Sequence, residues 1–221
     1  MASVTVENYL KHLYVQQQQH APERALVPMG KLATAMGVVP GTATTMVKAL
    51  ADSGLVQYEP REGVRLTAGG EQLALHVLRR HRLVELFLVR VLGLDWSHVH
   101  AEAEELEHAI SDRVLDRIDA LLGHPQTDPH GDPIPTASGQ VASLDLSTLA
   151  DSPAGRPLRV ARIIDQDPAF LQFVDRCGLT PGVAVVVERK EAVSDSIVVR
   201  PKGEDAVTLG TGAAAKILVK V

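Results

Sequence analysis

The sequence predicts an α+β chain in three parts: a small helical unit ending in a β-hairpin, a helical middle, and a small β-barrel at the C-terminus. Three observations carry this. Helical periodicity fills residues 4–54 in three pieces and is followed at once by two short β-type runs. A long apolar-periodic stretch then leads into helices rich in His and Glu. From residue 158 onward, that period gives way to short β-type runs separated by Gly, Pro and Asp.

Residues 4–19 carry Val6, Tyr9, Leu10, Leu13 and Tyr14 at helical spacing and predict a first amphipathic helix, with Asn8 and Lys11 near its start. Residues 20–27 are expected to form a loop leading into a short extended piece. A short helix around Leu32, Ala33 and Met36 should stop at Gly37, and the next, GTATTMVKALADSG, should stop at Gly54. Met46, Val47 and Leu50 are its inward residues. Pro40 and Gly41 lead it, and Thr42, Thr44, Thr45 and Lys48 form a small, polar outward face. A short helix, a tight turn and a second helix with such a face make a helix-turn-helix, whose second helix can enter a major groove. Leu55–Tyr58 and Val64–Thr67 read as strands around a turn at 59–63. That hairpin is a wing, with Arg61 and Arg65 placed to reach phosphates or a minor groove.

Thr67 caps a further helix that runs through Leu73, Leu75, Val77 and Leu78 into HRLVELFLVRVLG, with more apolar surface than one partner helix needs; a dimer interface is expected there. His81 and Glu85 are four apart and share a face. Past a break at Gly93-Leu94-Asp95, Glu104, Glu107 and His108 share a face of the following helix. Imidazole and carboxylate on adjacent turns offer a divalent first-row metal the donors it needs. A solvated acidic face would show the same EAEELEH run. Ile110, Val114, Leu115, Ile118, Leu121 and Leu122 pattern one more amphipathic helix, ending at Gly123. Residues 123–157 are dense in Pro, Gly, Ser and Asp and read as loop and linker, with His124 and His130 expected in solvent. Five short strands and one helix over 168–179 complete the chain as a small barrel.

The net charge of −5 is unevenly spread. Residues 1–90 carry ten Lys/Arg against seven Asp/Glu, residues 91–150 two against eleven, and residues 151–221 ten against nine. The acidic total argues against indiscriminate nucleic-acid binding but leaves room for a locally basic DNA-binding face. The acidic block coincides with the second His/Glu helix, where a bound cation would offset it. The single cysteine, Cys177, excludes an intrachain disulfide and a multi-thiolate metal site. No run of about 20 apolar residues occurs, and the N-terminus opens polar, so a soluble, cytoplasmic protein without a membrane partner is expected.

The order HRLVE, GLDWSHVHAEAEELEHAISD, DPHGDPIP, preceded by the winged helix, resembles the diphtheria-toxin-repressor or iron-dependent-repressor family of metal-activated bacterial regulators. The resemblance covers nearly the whole chain. It implies a winged-helix DNA-binding domain over residues 1–72, a helical metal-binding and dimerisation domain over 73–140, a linker over 141–156 and an SH3-like domain over 157–221. It also implies a primary metal site at Asn8, Glu104, Glu107 and His108. An ancillary site would use His81, Glu85 and His100, with Asp165 or Asp167 from the last domain. Two departures from the family pattern bear on the metal. Glu104 stands where iron-sensing members have cysteine, as in manganese-sensing members, and Asn8 is a neutral oxygen donor. Lys11 replaces a carboxylate of short manganese-sensing members, which argues against their closely spaced pair of ions.

The resulting expectation is a Mn(II)-activated, homodimeric repressor of metal-uptake genes that binds an inverted-repeat DNA operator, with Fe(II) as the alternative activator. The donor set of three oxygens and one imidazole is hard and free of sulfur, which suits Mn(II). A metal-dependent enzyme on paired helices is the competing class, but no residue reads as a poised nucleophile or base, and a winged helix has no use in such chemistry. A DNA-binding protein without metal control is the third.

Overall fold

The computed structural model describes residues 3–19 and 26–221, so most of the loop expected over residues 20–27 lies outside the described residues. The chain divides into two compact units: Met1–His81 with Glu107–Ile110 and Pro135–Gln140, and Arg82–Leu106 with Ser111–Ile134 and Val141–Val221.

In the first unit, α1 (Val4–Gln19) buries Tyr9, Leu10, Leu13 and Tyr14, the face its periodicity marks. Glu7 and Lys11 are buried with them, which periodicity does not foretell. Helices α2 (Met29–Ala35) and α3 (Pro40–Asp52) close around Leu32, Ala33, Ala43, Val47 and Leu50. Between them Gly37 sits at φ +63°, the left-handed conformation that ends a helix at little cost only in glycine. Strands β1 (Val56–Glu59) and β2 (Gly63–Leu66) pair antiparallel with Gln57 opposite Arg65, forming the expected wing. Val27 exchanges two backbone hydrogen bonds with Val64 and widens it. Helix α4 (Ala68–Arg90) starts where expected, the Thr67 hydroxyl accepting from the Gly70 amide at 3.1 Å.

In the second unit, the latter part of α4 buries Leu83, Val84, Leu86 and Leu88. Helix α5 (Val99–Leu106) is shorter than the periodicity suggests, so Glu107 and His108 fall in the turn after it. The chain leaves the helical path there, and Ser111 then caps α6 (Asp112–Leu121), its side chain accepting from the Val114 amide. Leu115 and Ile118 of α6 are buried, while Val114 is 48% and Leu121 66% exposed, apolar surface that one chain does not cover.

The rest of this unit is one antiparallel sheet in the order β3-β8-β4-β5-β6-β7. Its strands are β3 (Ser147–Thr148), β4 (Pro157–Ile163), β5 (Ala184–Glu191), β6 (Ser196–Pro201), β7 (Val207–Gly210) and β8 (Ile217–Lys220), with α7 (Pro168–Arg176) and α8 (Thr211–Ala214) between them. Register breaks at Val160/Arg162 and Val187/Arg189 bend the sheet around Leu158, Ile163, Leu171, Val187, Ile197 and Ile217. The β3 strand adds to the five expected; at two residues it is too short for alternation to reveal.

Candidate metal centres and nucleic-acid face

The first unit gathers donors from α1 and from the turn after α5. His108 Nε2 lies 2.8 Å from Asn8 Oδ1 and 3.2 Å from Glu107 Oε1. Neighbouring ligands on an ion about 2.1 Å from each stand about 3 Å apart, so three of the four expected primary donors converge at a spacing that fits a small divalent cation. The other ring nitrogen, Nδ1, lies 2.7 Å from Glu7 Oε2. A carboxylate on the far nitrogen of a histidine is the usual means of fixing the ring for a metal. Glu7 was not among the sequence candidates; its place beside Asn8 in VEN is the only signal it gives.

Glu107 is fully buried, and both its oxygens are engaged. Lys11 Nζ donates to Oε1 at 2.6 Å, and His81 Nδ1 lies 2.6 Å from Oε2. The ammonium therefore sits on the carboxylate oxygen that points toward His108, and an arriving divalent ion meets a cation already there. His81, expected at the ancillary site, belongs to this unit and meets Glu107.

The remaining expected donors lie in the second unit. His100, half exposed, places Nδ1 3.1 Å from Glu85 Oε1 and Nε2 3.5 Å from Glu104 Oε1. Glu85 is buried and also belongs to a group with Asp128 and His130, whose ligand atoms all lie within 4.8 Å of one another. His130 is fully buried, which corrects the expectation of a solvated loop histidine. The reason is local. Asp128 Oδ1 accepts from the amides of His130 at 2.8 Å and Asp132 at 2.9 Å, curling the DPHGDP segment so that the ring turns inward beneath Trp96. His130 Nε2 lies 2.9 Å from the Trp96 carbonyl, leaving Nδ1 to face Glu85 Oε2 at 3.8 Å; Nδ1 is a buried atom with no hydrogen-bond partner. A nitrogen so oriented beside two carboxylates has the donor chemistry of a metal ligand. His124, in contrast, is exposed as expected and pairs with Asp119. Asp165 is held by Lys216 Nζ at 2.7 Å, which keeps its carboxyl below the usual range, and Asp167 caps α7 through the amides of Ala169 and Phe170. Gln166, between them, reaches Asp132 Oδ2 at 2.8 Å.

Burial and the carboxylates of Asp132 and Glu85 push Asp128 up to about 8. Burial opposes the charged form of His130, yet the carboxylates of Glu85 and Asp128 and the Trp96 carbonyl outweigh it and raise the ring to about 9. Both groups hold protons in the folded chain that they would release when unfolded, near 3.8 and 6.5 respectively. The stability they contribute is present at low pH and is lost as pH rises through about 8 and about 9. Without metal, the protein is therefore expected to melt at progressively lower temperature between pH 6.5 and 9, a trend that calorimetry at constant ionic strength will register.

On the winged helix, Pro40, Gly41, Thr42, Thr45 and Lys48 are exposed and Thr44 is half-buried. The Thr44 and Thr45 hydroxyls donate to the Pro40 and Gly41 carbonyls at 2.8 and 3.0 Å. Arg61 is exposed at the hairpin tip at φ +71°, while Arg65 donates through Nε to Gln57 at 2.7 Å.

A winged helix joined in one chain to buried clusters of His, Glu and Asp defines a metal-dependent DNA-binding regulator. Three family models bear this out: the iron dependent repressor N-terminal DNA binding domain matches residues 1–64, the iron dependent repressor metal binding and dimerisation domain residues 67–136, and the FeoA domain residues 147–221. The chain belongs to the iron-dependent repressor family, and it is a metal-dependent transcriptional repressor rather than an enzyme. The iron-dependent repressor IdeR of Mycobacterium leprae is 31% identical over 218 residues, 93% of this chain and 92% of that protein. The HTH-type transcriptional regulator MntR of Shouchella clausii is 32% identical over 122 residues, 55% of this chain and 82% of that protein. Among solved structures, a manganese-dependent transcriptional repressor in complex with manganese superposes with a TM-score of 0.86 at 40% identity, covering 97% of this chain and 98% of that one. The exposed apolar residues of α6 lie within the segment matched by the metal binding and dimerisation model. No helix among the described residues is long and apolar enough to cross a membrane.

Proposed function

We propose that the protein is a Mn(II)-activated repressor of metal-uptake genes, acting in the cytoplasm as a homodimer on an inverted-repeat operator. The observation that carries the metal assignment is the sulfur-free convergence of Asn8, Glu107 and His108. Glu104, which the family resemblance implies as a further donor, has a carboxylate where a thiolate would favour thiophilic ions. The likeness to the manganese-bound repressor supports the same reading. Fe(II) is the second reading, supported by the mycobacterial iron-dependent relatives. The second candidate centre is Glu85, Asp128 and His130, with His100 beside it; His81, Asp165 and Asp167 stay sequence-based candidates there.

The ion would supply concentrated positive charge that links donors far apart in sequence, on α1 and on the turn after α5. Gln17, at the other end of α1, accepts from the Leu66 amide of β2 at 3.0 Å, so the helix carrying Asn8 also holds the wing. Order imposed at one end of α1 therefore bears on the DNA-binding face. One recognition helix reads too few bases to be selective in a genome, which is why the operator is expected to be a repeat read by two chains.

On DNA, alanine at Thr42, Thr44 or Thr45 is expected to relax base preference by about 1–3 kcal/mol per contact; with two hydroxyls turned back onto the helix, the methyl groups of Thr44 and Thr45 are left to meet thymine methyls. Lys48→Ala and Arg61→Ala should instead weaken binding to all sequences and each flatten the salt dependence by about one unit. Anisotropy titrations on matched and scrambled sites over a salt series separate the two behaviours. Metal binding at the Asp128–His130 centre must displace their protons, so its affinity is expected to rise with pH up to about 9, by up to about tenfold per unit for each proton released. Calorimetric titrations in buffers of different ionisation heat count those protons. The metal assignment is tested by titrating operator binding with Mn(II), Fe(II), Co(II) and Zn(II) in turn under anaerobic conditions. Glu104→Cys should shift the preference toward Fe(II), Co(II) or Zn(II). Activation by Fe(II) well below the Mn(II) requirement, unchanged by Glu104→Cys, would contradict the manganese reading.

A further inference from the structure

The DPHGDP segment supplies two of the three donors of the buried second centre, and the Asp128 turn that curls it leaves open what anchors the curled segment to the rest of the unit. The answer lies in the C-terminal sheet. Asp132 is buried and holds β4 and the loop after it with its two oxygens: Arg162 Nη2 lies 2.5 Å from Oδ1, and Gln166 Nε2 donates to Oδ2 at 2.8 Å. Beside it the Ile163 amide donates to the His130 carbonyl at 2.8 Å. Between the two, Gly131 sits at φ +87°, and a Cβ there would run into the carbonyl oxygen of Ala161. Ala161 is the residue at which β4 breaks register against β8, between Val160 and Arg162. That irregularity leaves the Ala161 carbonyl against the glycine and the Ile163 amide free to take the His130 carbonyl. On the other side Arg82, from α4, lies 3.4 Å from Asp132 and 3.7 Å from Asp128. The peptide group that follows His130 is thus fixed from outside the segment, the amide before it is held by Asp128, and its ring is turned toward Glu85.

We infer that Asp132 is a positioning residue of the Glu85–Asp128–His130 centre, a clasp closed by Arg162 and Gln166 that makes the C-terminal sheet part of that centre without contributing a donor through these residues. The inference rests on reading the triad as a metal centre. Its consequence is that loosening the clasp weakens the ion's hold although every donor remains, because the donors must then be ordered at the moment of binding.

The test uses the full-length protein, with Mn(II) binding followed by the electron paramagnetic resonance signal of the free ion. In parallel, amide hydrogen exchange at Ile163 is measured in the metal-free protein. Asp132→Ala and Gln166→Ala are expected to speed exchange at Ile163 and to weaken one Mn(II)-binding event by about 10–100-fold, with its stoichiometry unchanged. Asp132→Asn keeps one oxygen for Arg162, and the Gln166 amide can turn its own oxygen to the new NH2 group, so this variant should recover part of that loss. Glu85→Gln should weaken the same binding event while leaving exchange at Ile163 as in wild type. If Asp132→Ala opens Ile163 to exchange but leaves Mn(II) affinity within about twofold, the residue is merely structural and the inference fails. If Glu85→Gln and His130→Ala both titrate like wild type, the triad is no metal centre; the reading beneath the inference then fails, and the inference with it.

Discussion

His108→Ala is expected to abolish metal-activated DNA binding with every divalent ion. His108 is the only nitrogen donor in the proposed primary set, and its Nε2 is the atom on which Asn8 and Glu107 converge. Without it the site retains oxygens alone, one of them already held by Lys11. Loss of a first-row ion's imidazole from so small a donor set leaves affinities outside the physiological range. The variant should bind operator no better with Mn(II) than without, forfeiting a specificity of about 10³-fold or more over random DNA. Glu7→Gln is the graded counterpart. It keeps all four donors but removes the carboxylate on His108 Nδ1, and it should raise the Mn(II) requirement by about 10–100-fold. A His108→Ala protein that still responds to metal would place the activating ion elsewhere.

Lys11→Met should make the folded protein depend on metal. Glu107 is fully buried and Lys11 nearly so, and their contact at 2.6 Å is an ion pair shielded from water. Removing one partner of such a pair strands the other charge, typically at about 3–5 kcal/mol. His81 on the second oxygen will soften that loss, so a fall in Tm on the order of 10 °C is expected without metal. A divalent ion can take the place of the lost ammonium, so Mn(II) should restore more Tm to Lys11→Met than it adds to wild type. Scanning calorimetry with and without Mn(II) reads both effects. A metal-free Tm within about 2 °C of wild type would show that Lys11 is not the counter-charge of Glu107.

Much of this was legible in the sequence, for identifiable reasons. The apolar faces of α1 and α4 follow from spacing alone, as do the stops at Gly37 and Gly54 and the Thr67 cap. Asn8, Glu107 and His108 emerged together because the resemblance aligns them, and the structure brings their donor atoms close. What escaped is tertiary. The Glu7 and Lys11 side chains lie on the buried side of a helix where polar residues are normally taken as solvated, and Glu107 and His108, about a hundred residues away, give them partners, with Arg80 also beside Glu7. His130 sits in a Pro- and Gly-rich segment whose composition predicts exposure; an Asp-centred turn and the backbone of β4 bury it instead. No periodicity encodes either event. Helix α5 likewise ends before Glu107, five residues ahead of the Ser111 cap that opens the next helix.

The most direct test of metal control is fluorescence anisotropy on an operator fragment, selected from random DNA with the Mn(II)-loaded protein. Wild type and His108→Ala are compared under anaerobic conditions, each with chelator and with Mn(II). Mn(II) is expected to tighten binding of wild type by about 10²-fold or more, while a scrambled fragment and His108→Ala show no such gain. Equal affinity of the wild-type protein for the selected fragment with chelator and with Mn(II) would contradict metal control.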